Sequence, residues 1–127
     1  MATTHTTAIR NGLADYAVDS IDTGTGDATG DLVFMTAGDV TVATLAFSNP
    51  AYGDASVGVA TAATISSDPS AVGGTVALYK VQNRDNTEVF RGSVTATGGG
   101  GDIELSSVAV GATDTVSVSS LTYTAPN

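Results

Sequence analysis

The chain has 127 residues, no cysteine, one histidine and a formal charge of −9 at pH 7. This length predicts one domain spanning residues 1–127, and the lack of cysteine excludes disulfides and thiolate metal sites. With only four Lys and Arg residues, the chain does not suit nucleic-acid binding, which needs concentrated positive charge. We expect no signal peptide and no membrane span, hence a soluble protein made in a cytoplasm.

The first segment with helical periodicity runs from Thr4 to Ile21, and Thr6 or Thr7 can cap its start. Its apolar stripe consists of residues four apart, joined by Tyr16: Ile9, Leu13, Ala17 and Ile21. We expect residues 1–22 to form an N-terminal arm and helix whose stripe docks on a β domain. The open alternative is that the stripe orders against a neighbouring subunit.

A glycine-rich loop with three aspartates, Asp22, Asp27 and Asp31, follows the helix. Oxygen-rich loops bent at glycine can hold calcium. This spacing is not that of an EF-hand, however, and no glutamate closes the loop. We therefore expect aspartates that cap turns and no metal or other cofactor, with calcium at this loop as the open alternative.

Residues 31–125 have the pattern of short β strands separated by turns, because β-branched Val and Thr are abundant and helix formers are scarce. The seven candidate strands are Leu32–Thr36, Val40–Phe47, Ser56–Ile65, Thr75–Gln82, Glu88–Thr97, Ile103–Val110 and Thr115–Thr124. This spacing predicts a mainly β fold, a seven- or eight-stranded β-sandwich or jelly roll with a short N-terminal helix.

Three stretches share a change of phase: Val40–Phe47, Ile103–Val110 and Val116–Tyr123. Each has two apolar residues in one phase, two small residues, and two apolar residues in the opposite phase. Since side chains alternate strictly along a strand, this pattern predicts a bulge or a bend. A bend lets a strand leave one sheet and join the facing one. The alternative is a chance pattern in a chain rich in Val, Thr and Ser.

The sequence contains no recognisable catalytic constellation. The only histidine, His5, stands in a polar leader, so no base for a nucleophilic triad is expected. One histidine without cysteine is too few ligands for a zinc site. Nothing places two carboxylates, such as those of Glu88 and Glu104, in one cleft. We therefore expect that the chain is not an enzyme.

Three of the four basic residues, Lys80, Arg84 and Arg91, lie around the turn at residues 83–87. A local basic patch on an acidic protein suits contact with acidic neighbours, including copies of itself. Arg84 and Arg91 are the best candidates, because guanidinium groups make forked bonds to carboxylates. Alternation turns Arg91 away from Phe90 and places Glu88 in line with Phe90. The alternative is an ordinary solvated hairpin tip.

Four stretches resemble small structural proteins of tailed bacteriophage virions, particularly capsid decoration or cement proteins. They are the leader at residues 1–8 with its helix, Gly-Asp-Leu-Val-Phe-Met at 30–35, Phe-Ser-Asn-Pro-Ala-Tyr-Gly at 47–53, and Leu-Thr-Tyr-Thr-Ala-Pro at 121–126. The resemblance implies a homotrimer on the capsid exterior of the virion, made in the host cytoplasm. It would clamp neighbouring subunits of the major capsid protein, and no catalytic residue carries over.

Two other functions stay open at this stage. One is a tail, baseplate or fibre component of a virion. The other is a carbohydrate-binding jelly-roll module, which exposed aromatic residues such as Tyr52 and Tyr79 would favour. Aromatic residues buried at an interface between copies would argue against sugar binding.

Overall fold

The computed structural model describes residues 3–126 and confirms a mainly β fold with one short N-terminal helix. Helix α1 (Thr7–Asp19) continues into one turn of 3-10 helix (Ser20–Asp22). Within the described residues nine strands follow: β1 (Asp31–Met35), β2 (Thr41–Ala46), β3 (Val59–Thr61), β4 (Gly74–Thr75), β5 (Leu78–Gln82), β6 (Glu88–Ala96), β7 (Ile103–Leu105), β8 (Ala109–Val110) and β9 (Thr122–Thr124).

The strands form one curled main sheet and two small pairs, an arrangement of the sandwich or jelly-roll kind. The main sheet has the order β2-β1-β5-β6-β7, in which only the β6–β7 pair is parallel. Strand β3 pairs with β9, and β4 pairs with β8. No helix among residues 3–126 is long and apolar enough to cross a bilayer.

The core lies on one face of the main sheet. Leu32 and Phe34 of β1 are fully buried there, and their cross-strand partners on β2 and β5 point the same way. The helical segment covers this face with Val18 and Ile21, which are also fully buried. Residues 3–126 thus share a single core, which fixes the N-terminal helix to the sheet.

Three predicted strands are shorter or divided in the structure. Ser56–Ile65 contains only β3, because the Ser56 and Val59 amides and carbonyls bond to each other in a tight turn. Thr75–Gln82 divides into β4 and β5, since the chain changes its pairing partner from β8 to β1. Of Thr115–Thr124, only β9 and an isolated bridge at Val116 are paired. Each of these segments changes its pairing partner or turns along its length, so each paired stretch is short.

The predicted phase changes are confirmed. In Val40–Phe47 the register moves from Phe34↔Ala43 to Met35↔Thr41, so a bulge forms in β2. In Ile103–Val110 the chain leaves the main sheet after β7 and pairs with β4 as β8. In Val116–Tyr123 a bridge to Asp68 is followed by β9, which pairs with β3. Each phase change therefore marks a real irregularity of the backbone.

The orientation expected for α1 is wrong for most of its apolar stripe. Ile9, Leu13 and Tyr16 are 53%, 40% and 80% exposed, whereas Ala14 and Val18 are fully buried. The docked side carries polar side chains that accept from loop amides. Asn11 Oδ1 accepts from Gly58 N and Asp15 Oδ1 from Ala55 N, both at 2.7 Å. Hydrogen bonding to a loop, together with small side chains, decides which face of this helix is covered.

Candidate functional site

The aspartate loop and the basic turn contact each other. The Asp85 carboxylate accepts from the Thr25 and Gly26 amides at 2.9 and 2.8 Å. Arg84 donates from Nε to the Asp27 carbonyl at 2.7 Å, while the Arg84 carbonyl accepts from Asp27 N at 2.8 Å. We call residues 22–31 together with residues 83–87 the loop–turn clamp. Two features that looked functional in sequence are structural partners of each other.

Glycine makes the close approach in this clamp possible. Gly24 has a φ of +109°, and a Cβ atom there would lie 2.7 Å from Asp85 Cγ. The two amide donors hold the pKa of the Asp85 carboxyl below its usual range. The glycines and the aspartate are visible in the sequence. That the loop and the turn face each other is visible only in the structure.

The three aspartates weighed for calcium have different partners. Asp22 Oδ1 accepts from Ala51 N at 2.9 Å, and Asp31 Oδ2 from Gln82 Nε2 at 3.4 Å. Burial raises the pKa of both carboxyls, and the nearby Asp27 adds to this for Asp31. In the described part of the chain, no three His, Cys, Asp or Glu side chains are grouped as metal ligands would be. The geometry gives the calcium alternative no support.

Arg91 is held by two carboxylates of its own chain. Its guanidinium lies 2.8 Å from Glu88 Oε1 and 3.2 Å from Asp39 Oδ1, and all three side chains remain partly exposed. The pairing lowers the pKa of Glu88 and raises that of Arg91. The expectation that Glu88 lies in line with Phe90 is wrong. The register moves from Val81↔Phe90 to Gln82↔Glu88, and this bulge turns Glu88 to the side of Arg91.

Lys80 and Arg91 are cross-strand neighbours on the sheet face opposite the core, whereas Arg84 is half-buried in the loop–turn clamp. Lys80 also lies opposite Val33, which is only 3% exposed, so its aliphatic stem is placed to cover that residue. Lys80 forms no ion pair within residues 3–126. A contact of these three residues with another protein stays a prediction, and for Arg91 it would compete with Glu88 and Asp39.

The tyrosines considered for sugar binding are buried, so they lack the exposure that would favour that function. Tyr52 is 4% and Tyr79 8% exposed, and both belong to the core. The Tyr52 ring packs against Phe47 with centroids 5.8 Å apart, and burial raises the pKa of both phenols. Neither ring is available for stacking on a sugar. His5 lies in the exposed extended segment before α1.

An exposed apolar surface lies on the side of α1 that the sequence pattern had predicted to dock on the sheet. Ile9, Leu13 and Tyr16 point outwards, and the exposed residues between them include Ala8 and Gly12. We call these five residues the helix face. A cleft of about 350 Å³ adjoins it at Tyr16 and is lined by residues that include Val89, Phe90 and Tyr123. Ser20, Thr23, Asn83 and Glu88 also line the cleft, so it adds a surface of mixed polarity to the apolar helix face.

A second, polar groove of about 590 Å³ lies between residues 102–110 and 114–122. These two stretches are joined by a turn in which Gly111 N donates to Asp114 Oδ2. They do not pair with each other, because Val108 accepts a backbone bond from Val76, β8 pairs with β4, and Val116 pairs with Asp68. The groove is therefore the space inside a splayed hairpin.

No protein-family model matches this sequence, and no curated protein or solved structure is significantly similar to it.

Proposed function

We propose that the chain is a structural virion protein that binds and stabilises the capsid lattice of a tailed bacteriophage, as a homotrimer and without catalytic activity. The observation that carries the proposal is the helix face, an exposed apolar surface on a strongly acidic protein, bordered at its C-terminal end by Asp19. Exposed apolar residues grouped on one surface are typical of protein interaction sites. The resemblance of the sequence to decoration proteins supplies the identity of the lattice.

The charge distribution supports self-association through this surface. Copies with a charge of −9 repel one another, so a contact between copies is least costly where acidic side chains are absent. On α1 the ionisable residues Arg10 and Asp15 are turned towards the loop at residues 55–58, and the exposed Asp19 stands at the C-terminal end of the helix. The helix face is thus the part of α1 on which a second copy can pack with little repulsion.

Contact with the lattice is assigned to the sheet face that carries Lys80 and Arg91. Lys80, which has no ion pair in the described residues, suits acidic groups on a capsid protein, whereas Arg91 would exchange Glu88 and Asp39 for them. A trimer would present this face three times, and several modest contacts to one lattice act multivalently. A tail, baseplate or fibre component is the alternative that the helix face supports equally well. With Tyr52 and Tyr79 buried, sugar binding has no specific observation in its favour.

Co-sedimentation with empty capsids tests the proposal. We expect the wild-type protein to pellet with capsids and the Leu13→Glu variant to bind more weakly, because loss of the trimer removes multivalency. Ser66→Glu adds the same charge at an exposed loop position and serves as the matched control. A wild-type protein that never pellets with capsids would exclude the decoration role and favour a tail component.

A further inference from the structure

The polar groove has backbone groups without partners on both of its walls. On one wall, the Leu105 carbonyl accepts from Thr97 N next to β6. Since backbone groups alternate along a strand, the N–H and C=O of Glu104 point away from β6 and towards the groove. Ser106, at the bend that follows β7, also makes no hydrogen bond within residues 3–126. One wall is therefore an open strand edge.

The opposite wall, residues 117–120, bends at Ser119 and also has unpaired backbone groups. Residues 117–120 make no hydrogen bond to the rest of the described chain, either from backbone or from side chain. Such unpaired groups are a template for another strand. Two open edges that face one groove can pair with both sides of a single inserted segment.

The walls of this groove also define the charge of what can enter it. Three carboxylates line the groove, those of Asp102, Glu104 and Asp114, and no basic residue does. Both oxygens of Glu104 accept from backbone amides, Oε1 from Gly98 N and Oε2 from Gly100 N. Asp102 Oδ2 accepts from Ser93 of β6, and Asp114 Oδ2 accepts from Gly111 N. Their Oδ1 atoms accept no hydrogen bond from residues 3–126. The remaining lining consists mainly of hydroxyls, with apolar side chains such as those of Leu105 and Val118.

We propose that this groove binds an extended segment of another protein that carries Lys or Arg, which adds as a β strand between β7 and residues 117–120. Main-chain hydrogen bonds to the two open edges would supply the affinity. The groove carboxylates would select basic over acidic side chains. A second copy is a poor occupant because its basic residues lie on paired strands, in a clamped turn and, for Arg10, in α1. This site is separate from the helix face and does not depend on the proposed virion function.

A synthetic octapeptide tests the proposal directly. The probe is TKVTVKTS with acetyl and amide ends, titrated into the full-length protein while amide exchange is followed by NMR. We expect amides at Glu104, Ser106 and residues 117–120 to exchange rapidly without peptide and at least about tenfold more slowly at saturation. Absence of binding, or binding that leaves these amides unprotected, would overturn the proposal.

Two altered peptides separate strand addition from other modes of binding. TEVTVETS reverses the charge, and a TKVTVKTS peptide N-methylated at two alternate backbone nitrogens cannot pair along one edge. We expect both to bind more weakly than the probe. Equal binding of the N-methylated peptide would exclude strand addition, and equal binding of TEVTVETS would exclude selection by charge.

A pair of conservative variants locates the contact on the protein. Glu104→Gln should weaken binding of TKVTVKTS by about two- to fivefold, the effect expected for a partly exposed ion pair. Glu88→Gln is the matched control, because it changes the only other glutamate and lies outside the groove. Equal weakening by both variants would show that the effect comes from net charge alone and would contradict the assigned site.

Discussion

The loop–turn clamp and the helix face differ in how many of their side chains have bonding or packing partners within the same chain. The clamp is rich in charge, yet Asp85 and Arg84 already have partners in the same chain. The helix face is apolar, yet Leu13 is 40% and Tyr16 80% exposed. Charge in a sequence therefore identifies a contact surface only when the folded chain leaves that charge unpaired. Apolar residues left outside the core are here the better guide.

The largest effect on stability is expected from adding a side chain at Gly30, where the clamp loop passes close to neighbouring atoms. Gly30 is buried, and a Cβ atom there would overlap Ile21 Cγ2 and lie 2.6 Å from the Gln82 carbonyl. We expect Gly30→Ala to lower the free energy of unfolding by about 3 kcal/mol, as measured by urea denaturation.

Gly12→Ala is the matched control on the helix face. No atom lies within 4 Å of a Cβ at that position. Alanine should stabilise the helix interior by about 0.5–1 kcal/mol. A similar loss of stability in both variants would mean that the clamp loop is not closely packed.

A smaller effect on stability is expected from removing the ion pairs of Arg91 on the sheet face opposite the core. Arg91→Gln leaves Glu88 and Asp39 without their shared cation. We expect the urea midpoint to fall and the difference from wild type to shrink in high salt, because exposed ion pairs are screened. Lys80→Gln removes the neighbouring charge, which has no ion pair in the described residues, and should shift the midpoint less. A larger shift of the urea midpoint for Lys80→Gln than for Arg91→Gln would contradict the importance of these ion pairs.

The clamp should make stability depend on pH in a defined direction. The pKa of Asp85 is lower in the folded protein than in the unfolded chain. Its contribution is therefore present above the ordinary carboxyl pKa and is lost as pH falls through the folded-state value. Asp85→Asn keeps an acceptor oxygen but cannot titrate, so its stability should decline less on acidification below about pH 4.

The pH dependence of stability expected from Asp22 has the opposite sign. Burial raises the pKa of Asp22, so the protonated form favours folding below the ordinary carboxyl pKa. That contribution is lost as pH rises through the folded-state value. We expect Asp22→Asn to gain stability relative to wild type at neutral pH and to lose this advantage at low pH. Parallel pH profiles for the Asp85 and Asp22 variants would mean that local environment does not control their titration.

The smallest effect is expected from metal removal. Asp22, Asp27 and Asp31 contact separate groups of the protein, and no three ligand side chains are grouped among residues 3–126. EDTA should leave the melting temperature unchanged. A fall of several degrees that calcium restores would revive the calcium alternative and change the interpretation of the clamp.

The sequence predicted the fold class, the N-terminal helix and the irregularities at the three phase changes, because these follow from local periodicity. It did not predict which side of α1 is covered, since that depends on Asn11 and Asp15 meeting loop amides far along the chain. It also missed the bulge that places Glu88 beside Arg91. The groove could not be found either, because the pattern of residues 103–124 suggests paired strands where the structure has an open hairpin.

Sedimentation equilibrium of three proteins tests most directly whether the helix face, rather than the basic residues near the clamp, joins copies of the chain. Wild type and Arg91→Gln should both sediment as trimers, whereas Leu13→Glu should sediment as a monomer with an unchanged circular dichroism spectrum. A wild-type monomer, or dissociation by Arg91→Gln while Leu13→Glu remains associated, would contradict the assignment of self-association to the helix face.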